Sequence, residues 1–375
     1  MARTSSARIQ EHFAELTDPR RREVTYPLIN VVTIAICAVI AGADDFVAIA
    51  NYGRHKRQWL ARFLDLSHGI PSHDRFNAIL GALKPAEFEA CLLRWIAALH
   101  DITGGQIIAI DGKTLRRSFD KSDSKAALHM VSAWATQNHI SLGQVVVDAK
   151  SNEITAIPKL LKLLEISQSL VTIDAMGCQT EIARQIVAAK ADYCLTVKTN
   201  QPTLHDGIGR HFAVHLEEDF ARTAVRRHQT TERRHGREEV REYYLCPVPR
   251  DMPDRSRWPQ LKAIGLVIRH TLRDGKACTE IRYDILSRYL SGQRFAEAVR
   301  GHWAIENGLH WQLDVTFQED QCRIRKRHGA ANFSILRRTA LSLLKNETTH
   351  KVGIKNKRLT AAWNEHYLAK VLFGT

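Results

Sequence analysis

The apolar positions of this chain follow two rhythms, and the place where the rhythm changes divides it. Up to about residue 104 they recur at helical spacing, every third or fourth position. A short amphipathic piece over 8–16 stops at Asp18-Pro19. The most apolar window, 28–43, follows Pro27, holds Asn30 and Thr33, and ends in Gly-Ala-Asp-Asp. It is too short and too polar for a membrane span, so it is expected to be a buried core helix. Phe46, Ile49, Trp59 and Phe63 continue the helical spacing between basic residues. After the turn Gly69-Ile-Pro-Ser72, with Ser72 as N-cap, further helices are expected at 74–83 and 85–99. Three or four short helices of this kind suit a helical module that binds DNA, or equally a helical cap that touches none. Residues 101–105 read as a linker.

From Gln106 onward short, nearly uncharged runs bounded by turn residues replace the helical rhythm, the signature of buried strands. They fall at 106–110, 128–136, 143–148, 170–175 and 192–197, with helices expected from Asn152 to about Leu164 and over 180–190. Three strands in succession, then helix, strand, helix and strand, predict a mixed sheet with helices packed on it. Residues 199 to about 290 differ again. Arg and His are dense, and strand-like runs stand at 241–245, 264–270 and 281–286. This reads as an inserted, mostly β segment with a basic face. From Gln293 the spacing is helical again, through Phe295, Val299, Trp303, Asn307 and His310, with a last helix over 332–344. The expected fold class is therefore α/β: a mixed sheet with flanking helices, a helical N-terminal domain (1–104), and a catalytic domain (105–375) interrupted by the β-rich insertion.

Charge narrows the choice of partner. Lys and Arg number 54 against 40 Asp and Glu, a net charge of +14. An excess of that size points to a polyanion such as nucleic acid. Residues 321–358 hold eleven Lys and Arg against Glu347 alone, and are expected to form a solvated basic surface facing phosphates. The seven cysteines form no C-x-x-C pair, which suits reduced, buried thiols in a cytoplasmic protein. No apolar segment follows the N-terminal Met1-Ala-Arg to make a signal peptide, and no membrane association is expected.

Two of the strands end in the same way. Gln106-Ile-Ile-Ala-Ile runs into Asp111-Gly-Lys-Thr, and Leu170-Val-Thr-Ile runs into Asp174-Ala-Met-Gly. A carboxylate at a strand end is held rigidly at the rim of a sheet, which is what hard divalent cations require. Phosphodiester transfer can run on two such ions held by about three carboxylates. The third carboxylate has two candidates beyond the insertion, Glu306 and Glu319. Glu306 is favoured because it sits in an amphipathic helix whose apolar residues Trp303, Leu309 and Leu313 would pack on the sheet and fix it.

Seven ordered motifs now resemble a known family. They are Asp111-Gly-Lys-Thr-Leu-Arg, Lys150-Ser-Asn-Glu-Ile-Thr-Ala-Ile-Pro, Thr172-Ile-Asp-Ala-Met-Gly-Cys-Gln, Asp192-Tyr, Lys198-x-Asn-Gln, His235-Gly-Arg and His302-Trp-x-Ile-Glu-Asn-x-Leu-His-Trp-x-Leu-Asp-Val. Together they are similar to the H-repeat-associated insertion-sequence transposases, a group of DDE transposases, from about Asp18 to the C-terminus. The resemblance implies a ribonuclease-H-like core, with cleavage at the ends of a mobile element and strand transfer into target DNA. It implies two Mg²⁺ ions, for which Mn²⁺ can substitute, held by Asp111, Asp174 and Glu306. DNA is the implied partner, the element's terminal inverted repeats and the target alike, and joining two ends implies a homodimer on DNA. The wider superfamily places Tyr, Arg and Lys seven before, four before and seven after the glutamate; here those positions hold Val299, His302 and Leu313.

Further DNA contacts are expected at Lys113, Lys198, Asn200, Arg237, Arg300, His302, Arg323 and Arg325. Glu153, next to its helix cap Asn152, falls near the site on this reading. His235, Arg237, His302 and His310 lack zinc-ligand spacing and read as phosphate contacts or packing. Trp303 and Trp311 read as core, and Trp258 as core or a base-stacking platform. Two other functions compete: a nuclease on the same core without strand transfer, and an inactive DNA-binding relic of a mobile element. Inverted repeats flanking the gene would separate these from a transposase.

Overall fold

A computed structural model describes residues 9–21, 24–99, 106–118, 127–147, 152–234 and 236–374. The linker at 101–105, Lys150 and His235 lie outside the described residues.

The N-terminal region is helical, as its spacing predicts: α1 (Ile9–His12), α2 (Leu28–Ile40), α3 (Phe46–His55), α4 (Arg57–Leu60), α5 (His73–Ala82) and α6 (Pro85–Leu99). In α2 every residue from Asn30 to Ile40 is buried, so this helix is apolar all round because it runs through the centre of a core. Among the described residues no helix is long and apolar enough to cross a membrane. Asp45 and Ser72 cap α3 and α5 by accepting from the backbone N–H of Ala48 and Arg75.

The sheet begins with the meander β1 (Ile107–Leu115), β2 (Leu128–Ala135) and β3 (Ile140–Val147). Then α7 (Glu153–Leu161), β4 (Leu170–Ile173), α8 (Thr180–Ala188) and β5 (Asp192–Val197) add two strands parallel to β1. After α9 (Pro202–Glu217) come two hairpins, β6 (Arg226–Arg234) with β7 (Arg237–Pro247) and β8 (Ala263–Arg273) with β9 (Lys276–Leu286). These four strands do not stand apart from the core. β9 pairs antiparallel with β5, giving one nine-stranded sheet in the order β3-β2-β1-β4-β5-β9-β8-β7-β6. The mixed α/β architecture agrees with a ribonuclease-H-like fold.

Alternation along the strands sets the two faces. Ile108 and Ile110 of β1, with Val171 and Ile173 of β4, pack under α7 and α8 against Ile157, Leu160, Ile182 and Ile186. Ile107 and Leu170 point the other way, into a cluster with Phe295 and Val299 of α10 (Gly292–Ile305). After α10 the chain forms one π-helical turn, Glu306–His310, and then α11 (Trp311–Val315). The last helices are α12 (Gly329–Asn346), α13 (Ile354–Trp363) and α14 (Glu365–Phe373).

These last helices correct the expected basic surface at 321–358. Arg337, Arg338, Lys357 and Arg358 are buried, not solvated. Helix α12 runs beside α2, α5 and α6, and Phe333, Leu336 and Leu341 share one core with Val32, Ile36 and Trp95. The buried cations are paired internally. Arg338 meets Glu319, Arg358 meets Asp44, and Lys357 donates to the carbonyl oxygens of Leu344 and Glu347. Arg323, Lys326 and Arg327 remain on the surface.

Candidate functional site

Strand register brings the two aspartates together. β1 and β4 are neighbours and parallel, with Ile110 opposite Ile173. Asp111 and Asp174 therefore follow at adjacent positions. Alternation turns both away from the Ile110 and Ile173 side chains, toward the face that carries α10. Glu306 opens the π-helical turn directly after α10. Such a turn inserts one residue into the helical ladder and re-aims the side chains that follow, and it is frequent at functional sites. Here Leu309 and Leu313 still reach the core, while Glu306 stays exposed. Asp174 and Glu306 line the same cleft, of about 310 Å³, together with Lys198, Arg269, Arg282 and Trp303.

Two histidines from the α10 side flank Asp111. His310 Nε2 lies 3.2 Å from Asp111 Oδ2. Neither ring nitrogen of His310 makes a well-directed hydrogen bond, so this is a close contact rather than a directional bond. Burial pushes the Asp111 carboxyl up, but His310 and His302 outweigh it and hold the group below the usual carboxylate range. His302 is buried, with Nδ1 3.4 Å from the Thr172 hydroxyl. Burial, then Arg282, pushes its pKa down to about 4, so His302 is neutral at pH 7. It adds shape and a hydrogen bond to the site, without a positive charge for phosphate.

The other expected contacts are placed as follows. Lys113 departs most from expectation. Its ammonium is buried and bonds to Asp314 and to Glu319 Oε2 at 2.8 Å, so it faces the interior rather than DNA. The reason is alternation across a covered face: α11 and the segment after it lie over this end of β1 and supply two carboxylates. Glu319 is itself fully buried, accepting from Ser334 Oγ at 2.7 Å and paired with Arg338. Of the two late glutamates, Glu306 is the one that faces the cleft.

Asn200 Nδ2 donates to the Ala175 carbonyl at 2.6 Å, and Gln201 Nε2 to that of Cys178 at 3.0 Å. These amides tie down the loop that carries Asp174. Arg300 is paired with Glu232 of β6, and Arg237 with Glu239. Lys198 and Arg323 are exposed, and Arg325 donates to the Arg117 carbonyl at 3.3 Å. Of the tryptophans, Trp303 and Trp311 differ from expectation. Trp258 is buried and offers no platform for a base. Trp303 is not in the core but lies against the guanidinium groups of Arg241 and Arg269, 5.1 and 4.8 Å from its ring centre. Trp311 is 52% exposed.

One neighbouring group, Glu153, reads in the sequence both as part of a helix start and as lying near the site. Glu153 opens α7, reaches the rim from the opposite face of the sheet and accepts from His129, with Oε1 2.7 Å from Nε2. Thr114 Oγ1 stands 2.8 Å from the other nitrogen of that ring. Burial raises the Glu153 pKa, His129 opposes this, and the charges of Asp174 and Asp111 add to the rise. The glycine after Asp111 makes this approach possible, since a Cβ on Gly112 would come within 1.9 Å of Glu153 Oε1. Gly112→Ala is therefore expected to push Glu153 off His129, at about 1–3 kcal/mol. Glu153→Ala in the same chain should recover part of that loss. Denaturant melts of the two single variants and the double variant check this, and strictly additive losses would refute the contact.

Among the described residues no three His, Cys, Asp or Glu side chains are gathered tightly enough to enclose a metal ion. The donor chemistry nevertheless suits a hard divalent cation. Asp111 and Asp174 are neighbours on one face, and Glu306 shares a cleft with Asp174, so all the acidic donors are carboxylate oxygens.

Comparison with known proteins covers the same part of the chain. Residues 102–343 match the family described as Transposase DDE domain, and residues 10–96 match the DDE_Tnp_1-associated family. The chain is 40% identical over 367 residues to "Putative transposase YncI" of Escherichia coli O157:H7, covering 96% of this chain and 93% of that one. It is 37% identical over 374 residues to "H repeat-associated putative transposase YhhI" of Escherichia coli strain K12, covering 98% of each. A shorter relative, "Inactive transposase YbfQ" of the same strain, is 32% identical over 78 residues, which is 20% of this chain and 93% of that one.

Proposed function

Because this chain belongs to the DDE transposase family, we propose that it cleaves the ends of a mobile DNA element and joins them to target DNA. The observation that carries the reading is the pair of aspartates on one face of neighbouring strands, with Glu306 across a cleft lined by cations. Asp111, Asp174 and Glu306 would hold two Mg²⁺ ions, with Mn²⁺ able to replace them. Bound there, the ions would activate a water and offset charge on the phosphate.

The chain's own residues have separate tasks. Lys198, Arg269 and Arg282 line the cleft and attract the DNA backbone. The His310 contact keeps Asp111 in its anionic form, ready to act as a donor. Asn200 and Gln201 hold the Asp174 loop to the strand end. In the first step the scissile P–O bond breaks, leaving a 3′ hydroxyl, as the oxygen of water bonds to phosphorus. In the second, the oxygen of that hydroxyl bonds to a target phosphorus as the target strand's own P–O3′ bond breaks, and the departing target 3′ oxygen takes up the proton that the attacking hydroxyl gives up. Two ends joined together call for a dimer on DNA. On this reading the helical region 1–104 is an accessory to a catalytic domain over 105–375.

The test is incubation of the purified chain with Mg²⁺ and duplex DNA carrying the element's terminal repeat. A nick, hairpin or double-strand break at the repeat boundary, followed by a joined product, is the expected result. Cleavage without joining would make the chain a nuclease. Absence of cleavage with either Mg²⁺ or Mn²⁺ would overturn the reading.

A further inference from the structure

The four strands β6–β9 extend past everything that packs on them. The outer half of β9, from Lys276 to Ile281, is exposed, as are Leu272 and Ile281 despite their apolar side chains. The arm ends in two hairpin turns, one of them Asp274-Gly275, where both residues have positive φ (50° and 74°). A two-residue turn of this kind holds the strands in register to their last pair.

Register shows which side chains share a face. Arg241 of β7 lies opposite Arg269 of β8, and both contact Trp303 of α10, so this row faces the cleft. Four residues further out, on the same face, Arg237 lies opposite Arg273, and Arg273 opposite Lys276. The outermost row of the cleft face is thus basic across three adjacent strands. On the other face the neighbouring row is Glu238, Leu272 and Ala277, with Glu238 neutralised by Arg233 at 2.8 Å. Like charges directly opposite one another weaken a sheet. Guarding an edge against aggregation does not explain them, because β7 and β8 are interior strands of the arm. A polyanion lying across this face does.

We propose that the inner face of the β6–β9 arm is a track for duplex DNA, and that the row Arg237, Arg273 and Lys276 grips backbone phosphates beyond the cleft. This deepens the proposed function and rests on it. Four residues of strand span about 13 Å, which is about four base pairs of duplex. The grip therefore falls about four base pairs outward from the Arg241–Arg269 row. Arg237 is held by Glu239, and Arg273 lies 3.5 Å from Asp274, but that second pair is open to water at the hairpin tip and weak for that reason, so Arg273 and Lys276 are the cations of this row to remove.

The test compares the chain with its Arg273→Gln/Lys276→Gln variant by fluorescence anisotropy on duplexes, titrating salt. Both residues are exposed at a hairpin tip, and a thermal melt confirms that the variant is folded. On long duplex the slope of log affinity against log salt is expected to fall by about 1.8, one phosphate contact being worth about 0.9. On duplexes trimmed from one side to fewer than about four base pairs past the cleft, the difference between chain and variant should vanish. An unchanged slope on long duplex, or a loss that persists on every trimmed duplex, would overturn the track. Either result would leave cleavage untouched as a separate measurement. Cleavage lost while the slope change stands would overturn the proposed function alone.

Discussion

Glu306→Gln is expected to lower metal-dependent cleavage of DNA by at least about a thousandfold, a loss of about 4 kcal/mol of transition-state stabilisation. DNA affinity in the same variant should hold or rise slightly, since one negative charge leaves a cleft lined by Lys198, Arg269 and Arg282. Asp111→Asn and Asp174→Asn are expected to behave alike. The substitution keeps the size and hydrogen-bonding outline of the side chain and removes only the charge that a cation needs. Glu306 is exposed at a π-helical turn, so its replacement disturbs little of the fold. Single-turnover cleavage alongside a binding titration is the check. If Glu306→Gln cleaved at the native rate, the site would have to be sought elsewhere on the cleft.

Glu319→Gln is expected to fail in the opposite way, costing about 3–5 kcal/mol of stability because it leaves buried cations uncompensated. Glu319 is fully buried between Lys113 and Arg338, and Lys113→Met should cost a comparable amount for the mirror-image reason. Burial alone would raise the Glu319 pKa, but Arg338 and Lys113 outweigh it and bring it down to about 2 from 4.5. A carboxylate with a depressed folded-state pKa contributes stability above its unfolded value. That contribution is complete above about pH 4.5 and drains away as pH falls toward about 2. Denaturant midpoints measured across this window should converge for the native chain and Glu319→Gln as the medium becomes more acid. A gap that stayed constant with pH would show that the carboxylate charge is not what the network needs.

Much of the sheet was legible because its strands are buried on both faces. A run such as Leu170–Ile173 holds Thr172 as its one polar residue and stands where expected, although strand ends shift: β4 stops at Ile173 instead of 175, and β1 runs on to Leu115 instead of stopping at 110. β6 was not legible, since Arg226–Arg234 contains no apolar residue for an alternating pattern to show. Its pairing comes from β7 instead. Charge was read less well than apolarity. A dense set of Arg and Lys in sequence looks the same whether it meets water or buried acids. Arg337 and Arg358 meet Asp44, and Arg338 meets Ser132, partners that lie far away along the chain, while Lys357 is capped by carbonyl oxygens closer by. The same blindness applied to Lys113, whose partners Asp314 and Glu319 lie on a different element. The nearness of Asp111 to Asp174 was legible as two apolar runs that lead into an aspartate, but only β4 ends there; β1 runs on past Asp111 to Leu115, because β2 continues to pair with it. The presence of His310 and His302 beside Asp111 depended on how one helix crosses the sheet, which spacing alone does not give.

The shared core of α2 and α12 also bears on how the chain is made. α2 is apolar on every side, and one of the helices that covers it, α12, lies far downstream of it in the chain. Until α12 leaves the ribosome, the nascent chain carries a greasy cylinder covered in part only, by α3 and α5. Contacts between segments so distant in sequence form slowly, and exposed apolar surface invites association with other chains. A message or ribosome that stops short of α12 would then yield a chain with an open core, material for chaperones and proteases. The core around α2 thus closes only after the strands that carry Asp111 and Asp174 have already been made, so a truncated chain betrays itself by exposed apolar surface.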